Sequence, residues 1–337
     1  MNTQTKVPST PKMLVIGAGG CGINIARMVD SVPGIAVEYF DTSDANVREG
    51  DTSFTIVGSG RGSGGNRAEN AAKIEADVSK LDLSGRLEFD IVVVAYSASG
   101  GSGSVIGPVL SRVLASRKPD LRLVNLMVAD SGSGVWATNT SGTLETLEAI
   151  CEDLNLRLPC MIFENRPGMA RSRVDECIFV QLASLIEAMV APTIEMDTQD
   201  RLNFLDPSSV IDTTVGLKIL VTGREGDTSD GDLMVGFGRD GIADSLMASL
   251  VDDGGDLGSL ILKKDSNFKK IGYRIPDHKG SSVWCATYSD ISAIESVMSN
   301  IDTMVGKIDS QVQSSYSFRN RRGNTGGRGV IGAGRTR

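Results

Sequence analysis

The chain has 337 residues, 40% apolar, 23% charged and 5% aromatic, with a formal net charge of −8, which is material for two packed cores. Its longest apolar stretches, at 13–16 and 91–95, fall far short of the roughly 20 residues a membrane-spanning helix needs, and the polar 1–11 segment has no apolar h-region. Neither a transmembrane nor an exported protein is expected, and the cytoplasm is the expected location; five cysteines without a C-x-x-C pair read as free thiols, and a single histidine, His278 in a polar turn, rules out a His-based zinc site and makes a Ser/His/Asp triad improbable.

From residue 13 to about 160 short β-rich runs alternate with helical patterns, the signature of a parallel sheet with crossover helices. Strands are expected at 13–18, 36–40, 54–57, 89–96 and 121–129, with a sixth at 160–163, and helices near 22–31, 67–80, 104–116 and 143–155. Val92, Val93 and Val94 run without polar alternation, as a strand covered on both faces should. Asn165-Arg166-Pro167-Gly168 breaks the pattern, and 171–191 reads as one long helix with Ile178, Leu182, Leu185, Ile186 and Met189 on its apolar face, ended by Pro192. After Pro207 strands at 217–221 and 282–288 around a helix near 242–251 suggest a smaller α+β domain, followed by a final helix at about 290–314. The last 20 residues hold six arginines and no acid, so the formal −8 divides into +6 for this tail and −14 for the rest. Such a Gly/Arg-rich segment cannot bury enough surface to fold, and the acidic body argues against a general nucleic-acid binder.

Three glycine clusters stand out. Gly17-Ala18-Gly19-Gly20-Cys21-Gly22 leaves the first strand and enters a helix, fitting G-x-G-x-x-G with Asp41 at the end of the next strand. Taken alone it is either a dinucleotide loop or a tight strand-to-helix turn. Gly58 to Asn66 follows the third strand, and Ser99-Gly100-Gly101-Ser102-Gly103-Ser104 follows the fourth. In an open parallel sheet the carboxyl edge holds the ligand, so three such loops would converge on one polyphosphate, whereas a dinucleotide needs only one. No G-x-x-x-x-G-K-[ST] is present, which excludes a P-loop enzyme.

Gly100-Gly101-Ser102-Gly103-Ser104 resembles the signature loop of the tubulin/FtsZ superfamily, and Gly19-Gly20-Cys21-Gly22-Ile23-Asn24 is similar to its first nucleotide loop. Asp41 to Val47, Gly62 to Arg67 and Thr143 to Ile150 look most like the phage-encoded branch. The resemblance implies a parallel-sheet GTP-binding domain at 13–170 behind a 1–12 extension. It further implies a central helix at 171–191, a catalytic loop and short helix at 192–206, and an α+β activation domain at 207–288. A C-terminal helix at 289–316 and a basic tail at 317–337 complete the division. It implies a GTPase that polymerises head to tail, with GTP or GDP and Mg²⁺ bound between subunits, and a filament that positions or carries phage DNA in the infected bacterium.

By the same resemblance Gly19, Gly20 and Gly100 to Ser104 meet the α- and β-phosphates, while Gly64, Gly65 and Asn66 face the γ-phosphate. Cys21 and Asn24 lie near the nucleotide, and Asp41 and Asp44 lie toward Mg²⁺ or its waters, with no direct metal ligand assigned. Asn165 and Asp175 match the groups that read guanine, Asn139 is nominated for the ribose, and Ser99 stands where a further glycine is usual. Arg171 occupies the place of the usual base-stacking aromatic, as a stacked guanidinium or a solvated helix-end residue.

Asp197 and Asp200, just beyond the long helix, read on spacing alone either as helix caps or as a working carboxylate pair; in the resembled family this spacing belongs to the catalytic loop. A helix of about 20 residues is roughly 30 Å long, so these acids are too far from a phosphate at the sheet edge of their own subunit and within reach of one held by the next. The tail is open to three readings: a solvated end, docking on an acidic face of a neighbouring subunit, or contact with nucleic acid or another acidic partner. An NAD-binding oxidoreductase and a GTP-binding polymer without hydrolysis remain as alternative functions.

Overall fold

The computed structural model describes residues 10–51, 53–130, 132–165, 170–190, 197–206, 208, 214–224, 271–275 and 284–290. The expected helix near 242–251, the C-terminal helix beyond Asp290, His278 and the basic tail lie outside these residues.

Seven strands run parallel in the order β3-β2-β1-β4-β5-β6-β7: β1 (Met13–Ala18), β2 (Ile35–Asp41), β3 (Phe54–Ile56), β4 (Ile91–Ser97), β5 (Arg122–Asp130), β6 (Arg157–Asn165) and β7 (Gly216–Arg224). Beyond β7 the sheet continues through β9 (Trp284–Asp290) to β8 (Ile271–Ile275), both pairings antiparallel. Helices α1 (Gly19–Arg27), α2 (Arg67–Lys80), α3 (Gly103–Arg117) and α4 (Gly134–Leu154) connect the parallel strands, α5 (Arg171–Val190) follows β6, and α6 (Thr198–Phe204) follows α5. A 3₁₀ turn at Ser84–Glu88 precedes β4. No described helix is long and apolar enough to cross a membrane.

The core lies on the central strands. Every residue of β1 is buried, as are Ile91 to Tyr96 of β4, because helices cover both faces and no polar alternation is needed. A polar group within it, the Asn125 Oδ1, accepts from Tyr96 Oη at 2.8 Å and from Ser111 Oγ at 3.0 Å. Helix α5 buries Val174, Ile178, Leu182, Leu185 and Met189. Its Gln181 is fastened to β7, where the Thr222 amide donates to Gln181 Oε1 and the Thr222 hydroxyl to the Gln181 carbonyl, each at 2.9 Å.

Several boundaries differ from the sequence expectation: α1 spans Gly19–Arg27 rather than 22–31 and β7 spans Gly216–Arg224 rather than 217–221, and two further shifts have a visible local cause. Helix α4 begins at Gly134 rather than near 143, because the Ser133 hydroxyl caps it by accepting from the Trp136 amide at 3.4 Å; glycines at 134 and 142 hide the helical pattern. Strand β6 begins at Arg157 and runs through Pro159, which is tolerated because pairing with β5 starts only at Cys160.

Helix α1 lies so close to β4 that a Cβ on Gly22 would stand against the Ala95 carbonyl, 2.8 Å from its carbon. Gly22→Ala should therefore lift α1 from the sheet and destabilise the domain by about 2 kcal/mol or more, measured as the shift of the urea unfolding midpoint.

Candidate functional site

A cavity of about 490 Å³ opens at the carboxyl edge of β1, β4, β5 and β6, the edge at which open α/β sheets hold their ligands. The loop after β1, the loop after β3 and the loop after β4 all reach it, through Gly19 and Gly20, Ser63 and Gly65, and Ser99 to Gly103 respectively. Asn165 from the end of β6 and Arg171 and Asp175 from the first turns of α5 line its far end.

The loops pack backbone to backbone. A Cβ on Gly101 would lie 2.8 Å from Gly65 Cα, and one on Gly103 would lie 2.6 Å from the Ala18 carbonyl oxygen. Gly19, at φ +68°, faces the Gly103 amide at 2.7 Å from its own would-be Cβ. The middle loop turns left-handed at each of its glycines, with Gly58, Gly60, Gly62, Gly64 and Gly65 at φ between 59° and 85°, a backbone that other residues rarely adopt. Hydroxyls tie the loops together: Ser102 Oγ donates to Ser63 Oγ at 3.0 Å and lies 2.7 Å from Thr42 Oγ1. Ser99 Oγ lies 2.9 Å from Ser97 Oγ, so a hydroxyl bond holds the opening of the loop. Ser104, fully buried, closes the loop by donating to the Gly100 carbonyl.

Among the expected residues, Gly19, Gly20, Cys21, Asn24, Gly65, Ser99 to Gly103, Asn165, Arg171 and Asp175 line the cavity. Others support it from behind. Asn139 does not reach the cavity; its side-chain amide donates to the Gly65 carbonyl at 3.0 Å and the Ser99 carbonyl at 2.9 Å, bracing two glycine loops. Asp41 is buried and accepts from the Thr42 amide and from Asn46 Nδ2, both at 2.7 Å. It thereby sets Asn46 against Gly20, whose would-be Cβ lies 3.1 Å from Asn46 Nδ2. Asn66 caps α2 by accepting from the Glu69 amide at 3.2 Å, while Gly64 and the exposed Asp44 lie off the cavity wall. Ile25, Met28, Asp130 and Trp136 line it without having been nominated. The late start assigned to α4 concealed Trp136, although a tryptophan inside a Ser/Gly-rich segment was a usable signal.

Electrostatics assign the groups distinct states. Burial pushes the Cys21 thiol up to about 12, helped by the Asp175 carboxylate and opposed by Arg171, so the thiol stays neutral and is no nucleophile. Asp175 itself is raised above the ordinary carboxylate range by desolvation, with Arg171 pulling it back. The cavity offers backbone amides and hydroxyls at one end and a carboxylate with a carboxamide at the other, which suits a phosphorylated base. No group of three or more potential metal ligands occurs among the described residues.

No protein-family model matches the chain. Over 197 residues it is 32% identical to the phage tubulin-like protein of Pseudomonas phage 201phi2-1, a match covering 58% of this chain and 61% of that protein. The phage tubulin-like protein of Pseudomonas phage PhiPA3 is 29% identical over 205 residues, 59% of this chain and 62% of that one. The chain thus matches less than two thirds of the length of either. Among solved structures, the protofilament of TubZ from bacteriophage PhiKZ superposes with a TM-score of 0.64 at 19% identity, covering 96% of both chains. The GDP complex of the phage tubulin PhuZ gives 0.62 at 21% identity, again over 96% of both. The chain has the fold of the tubulin-like proteins.

In this tubulin-like fold the second set of expected residues sits at the other end of α5. Asp197 is exposed immediately before α6, and Asp200 lies within α6. α6 is clamped by two arginines. Arg201, 1% exposed, donates to the Met189 carbonyl at 2.5 Å and the Ala188 carbonyl at 3.3 Å, placing a cation on the last-turn carbonyls of α5. From the start of β5, Arg122 Nε donates to the Leu202 carbonyl at 3.1 Å while its guanidinium pairs with Asp206 at 3.2 Å. Arg201→Met, which removes the charge but keeps a long side chain, should raise amide exchange in α6 at least tenfold, an opening easier by about 1.5 kcal/mol. Exchange in the glycine loops should stay unchanged, as read by hydrogen–deuterium exchange.

Proposed function

We propose that the protein is a GTPase whose subunits stack head to tail into filaments and whose hydrolysis is completed by the neighbouring subunit. The observation that carries this reading is the convergence of three glycine loops with Asn165, Arg171 and Asp175 on one cavity. Backbone amides of the loops after β1 and β4 bind the α- and β-phosphates, and the loop after β3, with Gly65 at the wall, faces the γ-phosphate. The Asp175 carboxylate accepts from the N1 and N2 donors of guanine, a pairing adenine cannot offer, and Asn165 contacts the same base. The close-packed glycines fit a polyphosphate that requires near approach of the backbone, and Mg²⁺ would be held through its phosphates and waters. Mg²⁺ bound in this way neutralises charge on the phosphate oxygens.

Helix α5 has 20 residues and spans about 30 Å, so Asp197 and Asp200 cannot serve the nucleotide of their own subunit. In a longitudinal stack the acids of one subunit orient or polarise water against the γ-phosphate held by the next, an interface that repeats without closing. The relatives' names support this: one is a TubZ protofilament and another a PhuZ–GDP complex. The phage origin of the similar proteins supports a filament that positions or carries phage DNA in the bacterial cytoplasm, and the basic tail is assigned to an acidic surface, of a neighbouring subunit or another partner.

Asp197→Ala and Asp200→Ala should bind GTP with an affinity within about twofold of the parent, yet release phosphate about 10²- to 10³-fold more slowly, and their filaments should persist. Equilibrium binding, phosphate release and light scattering on the full chain check this. Loss of GTP binding by the monomeric variants would place the acids in their own subunit's site and refute the reading.

A further inference from the structure

The loop after β3 ends in Gly64, Gly65 and Asn66, and the next residue, Arg67, opens α2. Its side chain leaves α2 for α4. Arg67 Nη2 donates to Thr146 Oγ1 at 2.6 Å, and Nη1 lies 3.3 Å from where a Cβ on Gly142 would stand. A glycine inside a helix weakens it relative to alanine, and here the missing side chain leaves room for the guanidinium. Asn139, Gly142 and Thr146 are spaced i, i+3 and i+7, so they share one face of α4. That face holds the loop at a second point, since Asn139 Nδ2 donates to the Gly65 carbonyl at 3.0 Å.

Arg67 Nε is buried without an acceptor, and burial lowers the guanidinium pKa from its ordinary value against the pull of the Glu145 carboxylate. A desolvated cation is a costly way to join two helices, and α2 does not need it for that. It is secured to the domain by buried Ile74 and Val78 and to α3 by the Arg112–Glu75 ion pair. What Arg67 adds is local to the loop. The Asn66 amide donates to the Ser63 carbonyl at 3.0 Å, and Asn70 Nδ2 donates to the Ser63 carbonyl at 3.0 Å and the Asn66 carbonyl at 2.6 Å. These bonds close the end of the loop onto the first turn of α2, and Arg67 fastens that turn to α4. A glycine-rich loop has many conformations to lose, so each tie at its end narrows where its backbone points.

We propose that Arg67 is a positioning residue for the terminal phosphate: by tying the end of the loop after β3 to α4 it holds Gly64, Gly65 and Asn66 where a γ-phosphate meets them, and so sets the preference for a triphosphate over a diphosphate. This rests on the guanine-nucleotide reading above. Arg67 does not line the cavity, so it acts through the loop and not on the ligand. Without it Asn139 still braces Gly65 and Ser99 together, which leaves the loops around the α- and β-phosphates in place.

The test uses the full chain below the concentration of assembly, with GDP and a slowly hydrolysed GTP analogue titrated separately by calorimetry. Arg67→Met, which removes the charge and keeps the length, should weaken the analogue about tenfold and leave GDP within about twofold of the parent. Thr146→Val should lower the analogue-to-GDP affinity ratio in the same direction, whereas Thr146→Ser, which keeps the acceptor, should retain the parent's ratio. Arg112→Met releases the ion pair between α3 and α2 and should leave the ratio unchanged, which separates tying the loop from merely securing α2. An Arg67→Met variant that weakens both nucleotides alike, or neither, overturns the proposal, as does an equal fall of the ratio in Arg112→Met. If Arg67→Met does not fold, the two Thr146 variants decide it: equal ratios overturn the proposal. Failure of the unaltered protein to bind either nucleotide overturns the guanine-nucleotide reading together with this one, so the two failures are distinct.

Discussion

The site exists because three loops from different strands meet at backbone contact, with no room for a β-carbon between them. Gly101 against Gly65, and Gly103 against both Ala18 and Gly19, leave less than 3 Å for an added atom, so the loops nest only if these positions are glycine. Nesting has two consequences. It gathers the backbone of the loops after β1 and β4 and the start of α3 around one volume, the kind of setting in which anions bind well. It also makes the loops a single cooperative unit, cross-tied by Ser63, Ser102 and Thr42 and braced from below by Asn139.

Helix α5 extends that unit across the molecule. Its first turns contribute Arg171 and Asp175 to the cavity, its middle is bonded to β7 through Gln181, and its last carbonyls receive Arg201 of α6. A rod fixed at both ends and in the middle holds the cavity and the acid-bearing segment at constant separation, about 30 Å. On the proposed function, that separation is the physical reason for a shared site: neither end of one subunit would complete the reaction, and stacking would bring opposite ends together. Arg122 contributes from the sheet by holding the far end of α6.

Much of this was legible in the sequence, and the exceptions have physical causes. The uninterrupted valines of β4 and the 14-residue helix from Arg67 to Lys80 declared themselves through burial and periodicity. Glycine clusters announced the loops because few other needs explain so many left-handed positions in one segment. Residues whose role depends on a distant partner were harder. Asp41 looked like a ligand-facing acid from its place at a strand end, but its carboxylate is taken by Thr42 and Asn46. Asn139 lay in what read as a loop, whereas capping by Ser133 makes the segment helical and turns its amide toward the glycine loops. Trp136 was overlooked for the same reason. The double clamp on α6 was invisible, since nothing local distinguishes a buried arginine from a solvated one.

The central claim is that hydrolysis belongs to a pair of subunits, which makes the rate per subunit depend on assembly. Phosphate release from GTP, measured across protein concentrations spanning the onset of light scattering, tests it most directly. The account predicts a per-subunit rate near zero below that onset, with GTP fully bound, and a steep rise to a plateau above it. A per-subunit rate that is appreciable and independent of protein concentration would contradict it.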